Sequence, residues 1–433
     1  MSGSTEFEPK KAGFRTAQKR EMPIPRGSAM HRRAKILCAL VVNLVLSAPV
    51  SGQEVDPRLR LELGDPRFKH QTVDVAPGQI ISMESGRPIS FEAMIREMQP
   101  VPFTHVGEAH DSLPTHELQA RIVRALWEQD HRLAIGLEMV PAARQETLTQ
   151  WSLGLLTEEE FLREAGWYTT WGFHFGLYRP ILAFAKEHEI PLYALDTPRE
   201  VVAQFRMQDG KVLPEEVKTV APEPDPAEEE SRFLLRKGLE SMDMQAALKS
   251  AVLERMFEDL YRARVDRETD MASRVVRAQQ VQGRKVVVLI GSGHLMFGLG
   301  VDRLVRNMSG QSSRSVVPVS VPKGEASVTV TRSLADYIVG VAAEGRPAYP
   351  AIGLSFKAAP DASRLMVASK PLDGAARGQD FEAGDIVLAV DGLVFSDVDA
   401  LLIHLAKIPW GGEIRFRLLR AGVEKTVVLK LAD

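Results

Sequence analysis

"FTHVGEAHD" (residues 103–111) ends an apolar run in Gly107, Glu108, Ala109 and His110, and "VVVLIGSGHL" (286–295) repeats the pattern with Gly291 and His294. The count alone says little, because a chain of this composition contains roughly 0.7 copies of GxxH by chance. Position says more: each tetrad follows a short β-branched run at the C-terminal end of a predicted strand. "LAIGL" (133–137) ends likewise at Glu138 and "PLYAL" (191–195) at Asp196. Helical patterns separate these runs, and "HELQARIVRALW" places Leu118, Ile122, Ala125 and Leu126 on one face. Alternating strands and helices predict βαβ units, hence an α/β fold with a mostly parallel sheet and helices on both faces. Sites in such sheets lie beyond the carboxyl ends of the strands. Glu108, His110, Glu138, Asp196 and residues 292–294 are therefore expected to share one cleft, with Gly107, Gly291 and Gly293 letting the backbone turn sharply out of the sheet.

The chain has 433 residues, 45% of them apolar, and a formal charge of −3, which gives no electrostatic reason to expect a nucleic-acid partner. Met30, Arg32, Arg33 and Lys35 lead into "ILCALVVNLVL" (36–46) and then "SAPVSG". That order reads as a cleavable signal peptide over about 30–52, too short in its apolar part to span a bilayer. A periplasmic or secreted protein is expected. Cys38 is the sole cysteine and lies inside the signal, so the mature chain should carry no disulfide and no thiolate ligand.

Four segments are expected: an N-terminal extension and signal (1–52), the α/β domain (53–310), a Ser- and Val-rich connector (311–345) and a small β-rich domain (346–433). Within the α/β domain, Ser90 is expected to cap one helix, and Thr157 with Glu160 to form a capping box on another. "APEPDPAEEE" (221–230) reads as a solvated loop introducing a helical insertion over about 231–282, with Leu253, Met256, Phe257, Leu260 and Val265 near helical spacing. That face should cover the sheet or the cleft, a homodimer contact being the alternative. Phe297 to Leu304 reads as a lid or as the next helix.

Two imidazoles and a carboxylate on three strand ends suit a divalent transition metal with open positions for water or substrate. His110, Glu138 and His294 are that set. Glu108 or Asp196 would then act as base or orient a ligand, and the metal would activate a water. Without metal, the same residues could serve as a general acid and base. His105 alternates into the sheet and reads as a hydrogen-bonded core histidine, while His116 and His131 read as surface.

"AIGLSF", "AGDIVLAVDG" (383–392) and the terminal hairpin resemble a PDZ domain over about 350–433. Gly353, Leu354, Ser355 and Phe356 stand at its carboxylate loop, departing from the commoner Gly-Leu-Gly-Phe at Ser355. The resemblance implies capture of a peptide or protein partner along a sheet edge.

"VGEAHD", "GLEMV", "RPILAFAKEHEIPLYALDTPREV", "DRETDMASRV" and "LIGSGHL…GVDRL" follow one another in an order similar to the ChaN-like haem-binding uptake family of the Tiki superfamily, over roughly 75–310. The resemblance implies an exported α/β domain that binds haem and takes part in iron acquisition. Superfamily relatives that are metal-dependent proteases or esterases use paired GxxH motifs and a glutamate, here Gly107, His110, Glu138, Gly291 and His294. Two departures stand out: no lipid-modified cysteine is present, and Asp196 replaces a frequent Asn, adding a possible charge beside the cofactor. A haem slot needs apolar walls and an axial ligand. "GWYTTWGFHFGLYRP" (166–180), with six aromatic residues in twelve positions, is the candidate wall, and His174 and Tyr178 are its candidate ligands. Haem binding with a peptide-binding module is the leading expectation, and a metal-dependent hydrolase the alternative.

Overall fold

The computed structural model describes residues 55–196, 227–240, 251–361 and 363–432. The expected signal peptide, and residues 221–226 of the expected acidic loop, lie outside the described residues.

Along the chain, β1 (Thr72–Val75), β2 (Ile80–Ser82) and β3 (Arg87–Ile89) precede α1 (Phe91–Met98) and β4 (Phe103–Glu108). Next come α2 (Leu113–Gln129), β5 (Leu133–Pro141), α3 (Gln145–Ser152), α4 (Glu158–Ala165), α5 (Trp167–Thr170), α6 (Phe175–Glu187) and β6 (Leu192–Asp196). Two helices of the insertion, α7 (Ala227–Glu240) and α8 (Ala251–Gln282), lead to β7 (Lys285–Gly291), α9 (Val301–Ser309), β8 (Ser313–Val321), β9 (Val328–Thr331) and β10 (Tyr337–Ala342). The main sheet has eight strands in the order β3-β2-β10-β8-β4-β7-β5-β6. From β10 to β6 every neighbouring pair is parallel, and only β2 and β3 join antiparallel. All six residues of β4 are buried, as expected of a central strand covered on both faces.

Residues 311–345 are therefore not a connector. They supply β8 and β10 to the main sheet, and β9 pairs with β1. The small and polar residues around "VVPVSV" hide the pattern, yet β8 is paired in parallel on both edges and buries Val316 on one sheet face and Val317, Val319 and Val321 on the other.

Local signals act as expected. Ser90 Oγ accepts the Ala93 amide, and Thr157 and Glu160 complete the capping box of α4. One sheet face packs on α2 and α6 through Ile122, Leu126, Ile181 and Leu182. The other packs on α8 and α9 through Met271, Val275, Val301 and Val305. The long helix of the insertion thus covers the sheet, and α9, starting at Val301, takes the second half of the segment read as a lid or helix.

The C-terminal unit is an antiparallel sheet, β11 (Phe356–Ala358), β12 (Leu365–Val367), β13 (Ile386–Val390), β14 (Glu413–Arg420) and β15 (Val423–Lys430), with α10 (Val398–Ala406). Its own core gathers Val367, Phe381, Leu401 and Phe416. α10 also reaches the α/β domain: Ile403 joins that core, and Thr169 donates to Asp399 at 2.9 Å.

Candidate functional site

β4 and β7 run side by side, with Glu108 opposite Gly291, so the two tetrads leave the sheet as neighbours. The glycines serve contact rather than turning. None of Gly107, Gly291 and Gly293 has a positive φ. Instead, a Cβ on Gly107 would lie 2.6 Å from Ser292 Oγ, and one on Gly291 would lie 2.8 Å from His110 Cε1. The expectation of sharp turns is corrected accordingly: a hydrogen in place of a side chain lets each tetrad pack on the other.

Two buried polar networks meet there. In the first, Glu108 accepts from Tyr178 Oη and from His110 Nδ1 at 2.7 Å, and from Gln119 Nε2 at 2.9 Å. Trp171 Nε1 donates to Tyr178 Oη at 3.0 Å. Burial would raise the Glu108 carboxyl, but the facing imidazoles of His116 and His110 and the donated hydrogen bonds hold it below the ordinary carboxylate value.

In the second network, Arg267 donates to Glu138 and to Asp196, each at 2.7 Å. The Gly291 amide donates to the other Glu138 oxygen at 2.7 Å. His294 Nδ1 lies 2.8 Å from Glu268, which also takes Arg264 Nε at 2.8 Å, while Arg264 Nη2 donates to the Gly293 carbonyl. Burial works against each charge, yet Arg267 and His294 hold Glu138 well below its ordinary value. Glu138 and Glu268 in turn raise His294 despite its burial. The networks touch across Gly291, whose missing side chain leaves room for both the His110 ring and Glu138 Oε2.

Glu108, His110, Glu138, Asp196 and His294 thus converge as the sequence implied. His110 is 5% exposed, and among the described residues no hydrogen bond engages its Nε2. Its ring is walled by Trp171, with centroids 4.6 Å apart and edge-on, and by Phe173 at 5.0 Å. The aromatic segment therefore does meet the tetrad.

Several readings change. Tyr178 is buried with its oxygen held between Trp171 and Glu108, so it orients the carboxylate and presents no free ligating atom. His174 turns away: its Nδ1 accepts the Gly176 amide, and its Nε2 donates to the Ala406 carbonyl of α10 at 2.8 Å. His116 is not on the surface. It is 1% exposed, with Nε2 at 3.2 Å from the His110 carbonyl, because α2 turns that position toward the sheet. His105 is buried as expected but is not hydrogen-bonded, since both ring nitrogens lack partners among the described residues. Burial holds it neutral, with its pKa lowered to about 3.

Sequence reading also missed Arg264, Arg267, Glu268, Gln119 and the role of His116. A signal was present: each falls in phase with a buried apolar stripe, Met271 and Val275 on α8 and Ile122 and Leu126 on α2.

For a metal, the geometry offers little room. Among the described residues no group of three His, Cys, Asp or Glu side chains is arranged to hold an ion. His294 Nε2 faces Glu138 Oε1 at 3.4 Å and Arg267 Nη1 at 3.3 Å, so a guanidinium already provides the cation between them.

The shifts set a pH profile. Glu108, Glu138 and Glu268 lie below the ordinary 4.5, so their stabilisation is present above that value and is lost as pH falls through their folded values. His294 lies above the ordinary 6.5, so its contribution is complete below 6.5 and fades as pH climbs through its folded value. His105 and His116, both lowered by burial, add stability as pH rises toward 6.5, so urea midpoints between about pH 3 and 9 should peak near 6.5 and fall on either side. Midpoints that kept climbing above pH 6.5 would contradict the protonated His294.

A family model described as "Haem-binding uptake, Tiki superfamily, ChaN" matches residues 94–305. No curated protein matches the chain. Among solved structures, ChaN of Campylobacter jejuni, described with cofacial haem binding, is 18% identical, with 60% of this chain and 95% of that one covered and a TM-score of 0.47. The erythromycin esterase EreC in its open conformation is 15% identical over 60% of this chain and 83% of that one, with a TM-score of 0.34. The HtrA-type protease AlgW with a decapeptide is 22% identical over 21% of this chain and 30% of that one, with a TM-score of 0.19. Among the described residues, no helix is long and apolar enough to cross a membrane.

Proposed function

We propose that the α/β domain binds haem as cargo at His110, and that the C-terminal unit is a PDZ-like module that captures a peptide. The family model over 94–305 supports haem as the ligand class. The observation that carries the site is the unengaged His110 Nε2 between two aromatic rings. Iron needs a nitrogen with a free lone pair, and haem needs apolar walls. Glu108 holds His110 through Nδ1, which fixes the tautomer and leaves the lone pair on Nε2. Behind it, the second network sets Arg264, Arg267 and the raised imidazole of His294 against the three carboxylates of Glu138, Asp196 and Glu268.

The metal-dependent hydrolase reading would require Arg267 to leave its two carboxylates, and no contact favours that. Export through a signal at about 30–52 belongs to the same proposal, since the uptake of haem from outside a cell needs a protein placed there.

Hemin titrated into the purified chain should give a saturable, shifted Soret band. A flat titration would remove the haem reading, and tightly bound metal in chelator-free protein would revive the hydrolase.

A further inference from the structure

The small domain does not enclose its own groove. Among the described residues β11 pairs only with β12, leaving its other edge open beside α10. At the head of that edge, Gly353 has φ +77°, and a side chain there would meet the Asp373 carbonyl. Among the described residues the amides of Gly353, Leu354 and Ser355 engage no acceptor. Successive free amides beside an open strand edge suit an extended peptide ending in a free carboxylate.

The opposite wall comes from the α/β domain. A cavity of 770 Å³ is lined by Leu354, Phe356, Leu402 and Leu405 on one side and by Phe173 and His174 on the other. His174 ties the two together. Besides donating to Ala406, its ring stacks on Tyr349 with centroids 3.7 Å apart and planes 11° from parallel. Tyr349 fills the space a side chain at Gly176 would need, 2.3 Å from its Oη. Phe173, on this wall, is also in contact with the His110 ring. One aromatic layer thus lies between the groove and the His110 ring.

We infer that the peptide groove is a composite of both domains, and that a carboxylate-ended peptide seated against Phe173 and His174 changes ligand affinity at His110 through that shared layer. The inference rests on the proposed haem and peptide sites. Coupling of this kind is reciprocal, so each ligand must alter the affinity of the other by the same factor.

The test uses the full chain. A fluorescein-labelled library of ten-residue peptides with free carboxylates is screened by anisotropy, and the strongest binder is remade with an amidated end. Amidation should weaken it by about tenfold or more, as loss of a charge-assisted carboxylate contact does. Hemin is then titrated with and without saturating peptide, and its Kd should move by about fivefold or more. His174→Ala, which releases the tie to Ala406 and Tyr349, should reduce that shift to less than about twofold. His174→Asn, which keeps a donor but loses the stacking, is the milder companion should the first variant fold poorly, and it should reduce the shift as well. An unchanged hemin Kd with both ligands bound overturns the shared layer while leaving the two sites standing. If no peptide is selected, or hemin fails to bind, the underlying reading falls and the coupling falls with it.

Discussion

Arg267→Ala is expected to destabilise the α/β domain by about 3–5 kcal/mol, the usual consequence of removing one partner from a buried ion network. Arg267 is 8% exposed, and its guanidinium bonds Glu138 and Asp196 while flanking His294. Without it, Glu138 keeps the Gly291 amide but loses its main compensating charge. Two responses are open to such a carboxylate: to remain ionised at high cost or to take up a proton, and either one lowers stability at neutral pH. Unfolding in urea, followed by the fluorescence of Trp127, Trp151, Trp167 and Trp171, should show a clearly lower midpoint. Glu138→Gln placed in the same chain should recover part of the loss, because the charge that Arg267 answered is then gone. A single variant with the parental midpoint would mean that the network carries no net stabilisation.

His110→Ala is expected to weaken hemin binding by about a hundredfold, near 2.7 kcal/mol, if the imidazole is the axial ligand. The more informative companion is Gly291→Ala. Gly291 has φ −55° and ψ 134°, which alanine adopts freely, so its backbone carries no strain from the change. Its new methyl group, however, would lie 2.8 Å from His110 Cε1 and must push the ring. A weakening of about tenfold with the imidazole still present would show that ring position, and not merely the presence of a histidine, sets affinity. Hemin bound by the His110→Ala chain as tightly as by the parent would move the ligand elsewhere.

The folded arrangement explains which parts of the sequence were readable. Strand ends, caps and the amphipathic faces of α2 and α8 are local patterns, and they placed Glu108, His110, Glu138, Asp196 and His294 on one rim before any contact was known. Polar residues in phase with apolar stripes were harder. His116 read as exposed, and Arg264, Arg267 and Glu268 carried no assigned role, since a charge is ordinarily kept in water. Only partners arriving from distant strands make such positions tolerable, and those partners lie far away in sequence: Glu138 is 129 residues from Arg267.

The chain by itself therefore determined the alternation of strands and helices, the strand ends at which chemistry collects, and the start of a separate β-rich unit near residue 350. Tertiary structure alone decided that β8 and β10 complete the sheet, that each tetrad glycine makes room for the neighbouring tetrad, and that His174 joins two domains. The division has a physical cause. Periodicity and capping act within a few residues, whereas burial of a charge or the close approach of two backbones is settled only when remote segments are brought to within a few ångströms.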